Sequence, residues 1–239
     1  MSTIPPNFKG KATPLGASDI SNEAAALHCS VAIMHAFSDN ESGGAAFIIH
    51  DGRPAMLYEA RYFHHLTGGK YDQVNPNISS PVWNRALYGA PGAHQYDRLA
   101  AAMKLDPEAA LQSCSIGRYQ VMAFNFGMLG YKTVDDMWAA FCDGEPAHLA
   151  GFGAYIRATG LLPALQANPP KFTTLSVGYN GVGEHAQGYD TKLAAAYWHY
   201  VRNGDNAAPS PVAALSRAYY PQAIGSASIG AALAQGIQP

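Results

Sequence analysis

Apolar residues recur at helical spacing through the stretch NEAAALHCSVAIMHAFSDNE. Ala26, Leu27, Val31, Met34 and Phe37 fall on one helical stripe. Asp19 or Ser21 can cap its start. The stripe ends at Ser42-Gly43-Gly44, where two glycines stop a helix. The same period returns from Gln95 to Met103 and from Pro107 to Cys114, with Asp106 as cap and Pro107 in the first turn. It predicts further helices over 123–130, 133–142, 145–159, 161–167 and 171–178, and a last one through TKLAAAYWHYVRN.

Other segments break this pattern. FIIH and PAMLYE are short apolar runs on either side of the turn dipeptide Asp51-Gly52, and they predict a small hairpin. EARYFHHLTGG then reads as a short helix closed by Gly68-Gly69. Residues 70–95 hold prolines, asparagines and glycines without a period and read as irregular. SIGRYQVM reads as a turn entering a helix whose Val121 and Met122 face the core. The expected fold is mainly α, a helical domain with one small β-hairpin. Residues 1–18 form an N-terminal arm, 19–203 the domain and 204–239 an Ala/Gly/Pro-rich tail.

Composition narrows the function. Charged residues are 13 % of the 239-residue chain, about half the usual share. The net charge is −2, which leaves no basic footprint for nucleic acid. A surface built from Tyr, Asn, Gln, Ser and Gly suits a neutral polar ligand such as a sugar. No apolar run reaches the length of a membrane span. MSTIPPNFKGKATPLG lacks the apolar region of a Sec signal peptide, so synthesis in the cytoplasm is expected. Cys29, Cys114 and Cys142 are odd in number and show no zinc spacing. They read as buried or half-buried thiols, with one disulfide left open, and no metal or other cofactor is expected.

Three short motifs carry the chemistry. Asn40-Glu41-Ser42-Gly43-Gly44 places a carboxyl at a helix end beside glycines that allow close approach. Desolvation there would favour the protonated form that a general acid needs. In Ser113-Cys114-Ser115-Ile116-Gly117-Arg118-Tyr119-Gln120, Gly117 offers a bare backbone wall and Gln120 both a donor and an acceptor. Gly178-Tyr179-Asn180-Gly181 can present a phenol and an amide to a saccharide. Each motif alone also reads as ordinary structure. The three tryptophans read first as core; Trp83, in the irregular stretch, is the one best placed to stack on a sugar instead.

Taken together, Glu-Ser-Gly-Gly, Ser-x-Gly-x-x-Gln-x-Met and Gly-Tyr-Asn-Gly resemble goose-type lysozymes and lytic transglycosylases. More closely, the chain resembles the N-acetylmuramidase domain of phage endolysins and related bacterial wall-lytic proteins, from about residue 24 to 200. The resemblance implies a lysozyme-like fold and cleavage of the β-1,4 bond between N-acetylmuramic acid and N-acetylglucosamine. It implies Glu41 as catalytic acid and Glu59 as a second acidic residue lining or bracing the cleft. Ser115, Gln120, Tyr179 and Asn180 would bind substrate or position water. A salt bridge to Arg61 or Arg53 is the structural alternative for Glu59. The same motifs fit a lytic transglycosylase giving 1,6-anhydro products, or a non-catalytic saccharide binder. The partner implied is bacterial peptidoglycan, reached in the periplasm or wall after release or delivery. A delivery system or an immunity or inhibitor protein is a further partner to expect, since no wall-binding module is visible.

Overall fold

The computed structural model describes residues 2–181 and 188–204. The tail expected at 204–239 falls, from residue 205 on, outside the described residues. Ten α-helices occur among them. In chain order these begin with α1 (Asp19–Ala26), α2 (Val31–Ser42), α3 (Ala60–Thr67), α4 (Ala93–Met103) and α5 (Pro107–Gln112). They continue with α6 (Val134–Asp143), α7 (Glu145–Ala158), α8 (Leu162–Gln166), α9 (Phe172–Asn180) and α10 (Tyr189–Asn203). Strands β1 (Met56–Tyr58), β2 (Cys114–Ile116) and β3 (Val121–Met122) form one antiparallel sheet in the order β1-β2-β3. The protein is mainly helical with a small sheet, as its periodicity predicts. No helix among the described residues is long and apolar enough to cross a membrane.

The chain divides into two compact units, residues 1–13 with 46–148 and residues 14–45 with 149–239. In the first, the sheet and helices α3 to α6 share a core of Met56, Tyr58, Phe63, Leu99, Ile116, Trp138 and Phe141. Trp138 is fully buried, and its indole N–H donates to the Leu111 carbonyl at 3.2 Å. Phe8 packs edge-on against that indole, 4.9 Å between centroids, and Thr13 bridges to Gly144. The N-terminal residues are thus fastened to α6. The Asp106 carboxylate accepts from Ala109 N at 3.0 Å and caps α5, as its position predicts.

The second unit is built around α2. From Ala32 to Ser42 every residue of this helix except His35 is buried. Phe37 packs against Phe152 and Tyr179, with centroids 5.0 and 5.1 Å away. Two stretches depart from the sequence expectation. The periodic run 19–42 is two helices: His28 adopts a left-handed φ of 52°, and the chain turns before Ser30 caps α2. The apolar residues on either side of the break, Leu27 and Ile33, are both buried, so the stripe runs on across it.

SIGRYQVM is not a turn into a helix but the β2–β3 hairpin, with Ser115 opposite Met122 and Ile116 opposite Val121. Both strands are buried on both faces, so the alternation that marks a strand is missing. Phe47 does face Pro54 across the Asp51-Gly52 turn, but as a single bridge; the regular strand β1 pairs with β2. Residues 123–130 form only a 3-10 turn, Ala123–Asn125. The three cysteines are unpaired, and burial, aided by nearby Glu23 and Asp143, pushes the thiols of Cys29 and Cys142 up to about 12. No disulfide forms among them.

Phe37→Ala should destabilise the protein by about 3–5 kcal/mol, because it leaves a hole between α2, Phe152 and Tyr179. Urea unfolding at neutral pH measures this; a loss under about 1 kcal/mol would mean α2 is not the organising helix.

Candidate active site

Glu41 occupies the last turn of α2 and is 1 % exposed. Gly43 and Gly44 take left-handed φ values of 63° and 78°. They turn their N–H groups back to the carbonyls of Asp39 and Ser38, at 3.0 and 3.1 Å. That stops the helix one residue after Glu41 and fixes the direction of its side chain. The Asn180 side-chain amide donates to Glu41 Oε1 at 3.3 Å. Asn180 is itself the last residue of α9.

The Gly-Tyr-Asn-Gly motif is what delivers this amide. A Cβ at Gly178 would stand 2.3 Å from Leu161 Cδ2, so any larger residue would have to displace that side chain. Tyr179 is 3 % exposed, with Tyr155 5.1 Å and Phe152 5.8 Å away between centroids. With its ring held in this aromatic cluster, the next residue turns toward Glu41. Two residues earlier on α2, the Asp39 carboxylate accepts from the Tyr200 hydroxyl at 2.8 Å, and the His35 ring stacks on Tyr200. Sequence reasoning passed over Asp39 and Tyr200, since an Asp and a Tyr so far apart along the chain carry no shared pattern.

In the first unit, Glu59 follows β1 and is 2 % exposed. Its Oε2 accepts a short hydrogen bond from the Tyr88 hydroxyl. Burial, and then the Glu59 carboxylate, push the Tyr88 phenol well above its ordinary range, so it remains a donor. The Arg98 guanidinium lies under the Tyr88 and Tyr58 rings, 5.3 and 4.9 Å from their centroids. Of the two arginines offered as partners for Glu59, Arg61 and Arg53, the second is held by both oxygens of Asp51, at 2.6 and 2.7 Å. Gln95, fully buried, donates to the Tyr88 and Ala90 carbonyls. Tyr88 and Arg98 were not among the sequence candidates; Tyr88 lies in the stretch without a period.

Ser115 and Gln120 meet across the β2–β3 hairpin. Ser115 Oγ donates to Gln120 Oε1 at 3.0 Å, and Gln120 Nε2 donates to the carbonyls of Gly117 and Ala55. Their polar groups tie the hairpin turn to the chain entering β1. His148 holds the same turn from the other side. Its Nε2 donates to the Phe141 carbonyl at 2.8 Å, and its Nδ1 accepts from the Arg118 backbone N–H at 3.3 Å. Burial, with the Arg118 charge adding to it, pushes this imidazole down to about 4, against the hydrogen bond to Phe141.

The family model of the muramidases, described as N-acetylmuramidase, matches residues 30–201. The chain belongs to the N-acetylmuramidase family. The crystal structure of the Burkholderia AP3 phage endolysin is similar, with 30 % identity and a TM-score of 0.69. The match covers 79 % of this chain and 71 % of that one. No curated protein matches the chain. This muramidase is a glycoside hydrolase that acts on bacterial cell-wall peptidoglycan. Of the residues the sequence singles out, Glu41, Tyr179 and Asn180 stand together in the second unit. Glu59, Ser115 and Gln120 belong to the first, Glu59 with Tyr88 and the other two with each other.

The buried His148 makes the muramidase sensitive to acid. Its folded value near 4 lies below the ordinary 6.5, so the unfolded chain takes up the proton first. The stability it contributes is complete above pH 6.5 and is lost as the pH falls toward 4, by roughly 3 kcal/mol across that window. Urea unfolding between pH 7 and 4.5 should show wild type losing more stability than His148→Gln; parallel pH profiles would contradict this.

Proposed function

We propose that this muramidase cleaves the β-1,4 bond between N-acetylmuramic acid and N-acetylglucosamine with Glu41 as the general acid. The observation that carries the reading is the Glu41–Asn180 pair at the end of α2, 1 % exposed and fixed by two helix ends. A general acid must be able to give up a proton at a fixed position, and that is the role this reading gives Glu41. The Asn180 amide on Oε1 fixes the orientation of the carboxyl. In this reading the Glu41 proton passes to the glycosidic oxygen as the bond to the muramic carbon breaks, and water completes hydrolysis.

Glu59 is the second carboxyl of this reading, and we assign it the bracing role: held by Tyr88, it sets the chain between β1 and α3. Ser115 and Gln120 hold the shape of the hairpin turn in their own unit, and Tyr179 sets the position of Asn180. In this reading the enzyme reaches the wall after release or delivery from the cell that makes it. The near-neutral charge means that hydrogen bonds and stacking, rather than attraction to an acidic polymer, hold the glycan.

Glu41→Gln keeps the size of the side chain and an acceptor for Asn180, but removes the proton. It should lower the rate on purified peptidoglycan by at least about a hundredfold. Asn180→Ala should cost about tenfold. Products reduced with borohydride and read by mass spectrometry give the outcome. Reducible muropeptides that disappear with Glu41→Gln support the hydrolase. 1,6-Anhydro products would make the enzyme a lytic transglycosylase, and an active Glu41→Gln would remove Glu41 from the chemistry.

A further inference from the structure

Between α3 and α4 the chain makes an irregular excursion whose tip is apolar and faces water. Pro81, Val82, Trp83 and Asn84 are all exposed, with Val82 at 64 % and Trp83 at 40 %. An exposed tryptophan beside an exposed valine forfeits hydrophobic stabilisation and leaves an aromatic face open to a ligand. The tip is nevertheless tied down on both sides. Before it, Ser80 N donates to the Ala60 carbonyl at 3.2 Å, and Ser80 Oγ donates to the Val82 carbonyl at 2.9 Å. After it, Asn84 closes a turn by accepting from Ala86 N and Leu87 N at 3.0 Å each, on its side chain and its carbonyl. Tyr88 then enters the core, donates to Glu59, and lies 6.1 Å from the Trp83 ring at a 44° tilt. Gln95 holds the return through the carbonyls of Tyr88 and Ala90.

We infer that Trp83 is a saccharide-stacking platform that takes one pyranose ring of the peptidoglycan glycan strand. The inference rests on the peptidoglycan activity above, and not on which carboxyl reacts. An indole face matches the row of C–H groups on one side of a β-linked pyranose. Stacking suits a polymer that this weakly charged protein does not attract by charge. The tether through Tyr88 holds the indole before substrate arrives, so little ordering entropy is lost on binding. Because Tyr88 also donates to Glu59, the platform is fixed relative to the chain that enters α3. Trp83 is a binding residue in this scheme and takes no part in bond cleavage.

The test compares wild type, Trp83→Phe and Trp83→Ala, each also in the Glu41→Gln background. Binding is read at 4 °C by co-sedimentation with purified insoluble peptidoglycan, and turnover by release of soluble muropeptides. Trp83→Ala should weaken binding and raise KM about three- to tenfold with kcat unchanged, and Trp83→Phe should restore most of the loss. The binding arm stands whether or not Glu41→Gln abolishes turnover, so the acid assignment and the platform fail separately. Should the alanine variant not fold, Trp83→Gln removes the ring while keeping a long side chain and is read in its place. Equal binding by all variants would overturn the proposal. So would a loss confined to kcat, or a change in oligomeric state on Trp83→Ala, which would make the tip a contact between copies of the chain.

Discussion

The Glu41 carboxyl sits in a helix end whose side chains are almost wholly buried. Asp39, Asn40, Glu41 and Ser42 follow one another in α2 at 3 % exposure or less. Successive residues of a helix point about 100° apart, so four buried in a row means the helix is enclosed on every side. Polar groups in such a place cost stability unless they are hydrogen-bonded. Ser42 Oγ finds a partner within α2, the Ser38 carbonyl, and the two acids find theirs on other helices: Tyr200 of α10 for Asp39, and Asn180 of α9 for Glu41. Helices α9 and α10 are thereby set against α2 by specific atoms rather than by apolar fit alone. The geometry of the proposed acid is a by-product of satisfying a buried helix end.

A similar economy governs the first unit. Its sheet is very small, three strands of two or three residues, too short to fix its own shape. Side chains do that work. Ser115 and Gln120 close the hairpin from within, and His148 clamps its turn to α6. At Gly117 a Cβ would stand 2.6 Å from His148 Nδ1, so the imidazole occupies the space a side chain would need. The Glu59, Tyr88, Gln95 and Arg98 set then carries order from β1 out into a segment with almost no secondary structure. Buried polar groups confer that order only when fully engaged, which makes this cluster sensitive to single substitutions.

Legibility followed the physics of each segment. The amphipathic helices α3 to α6 and the capped start of α5 were readable, because one face is wet and the periodicity survives. The β2–β3 hairpin was not, because strands buried on both faces leave a continuous apolar run that a helix could equally explain. The break at His28 was hidden by a stripe common to two helices. The Gly-Tyr-Asn-Gly and Glu-Ser-Gly-Gly motifs pointed to residues that do meet, since each motif fixes its own helix end. Tyr88 left no trace because its pairing with Glu59 depends on an aperiodic loop folding back. Tryptophan exposure was readable in part: Trp138, read as core, is fully buried and Trp83, the exception singled out, is 40 % exposed, while Trp198, expected inside, is 39 % exposed.

The motif residues invite one more step. Ser115, Gln120 and Tyr179 are 0, 4 and 3 % exposed, and each is engaged by its own unit. A residue can be tied to a function without touching the ligand, if the shape of the site depends on it. Gln120 fixes the turn, and Tyr179 aims Asn180. Substituting either should therefore disturb folding and activity together. Loss of a residue that only binds sugar would leave stability nearly intact. The exposed tip carrying Trp83 has that second character: its anchors are buried, and its binding face is not. A chain with few charges divides the labour in this way, with polar groups turned inward to hold geometry and an aromatic face turned outward to meet a neutral polymer.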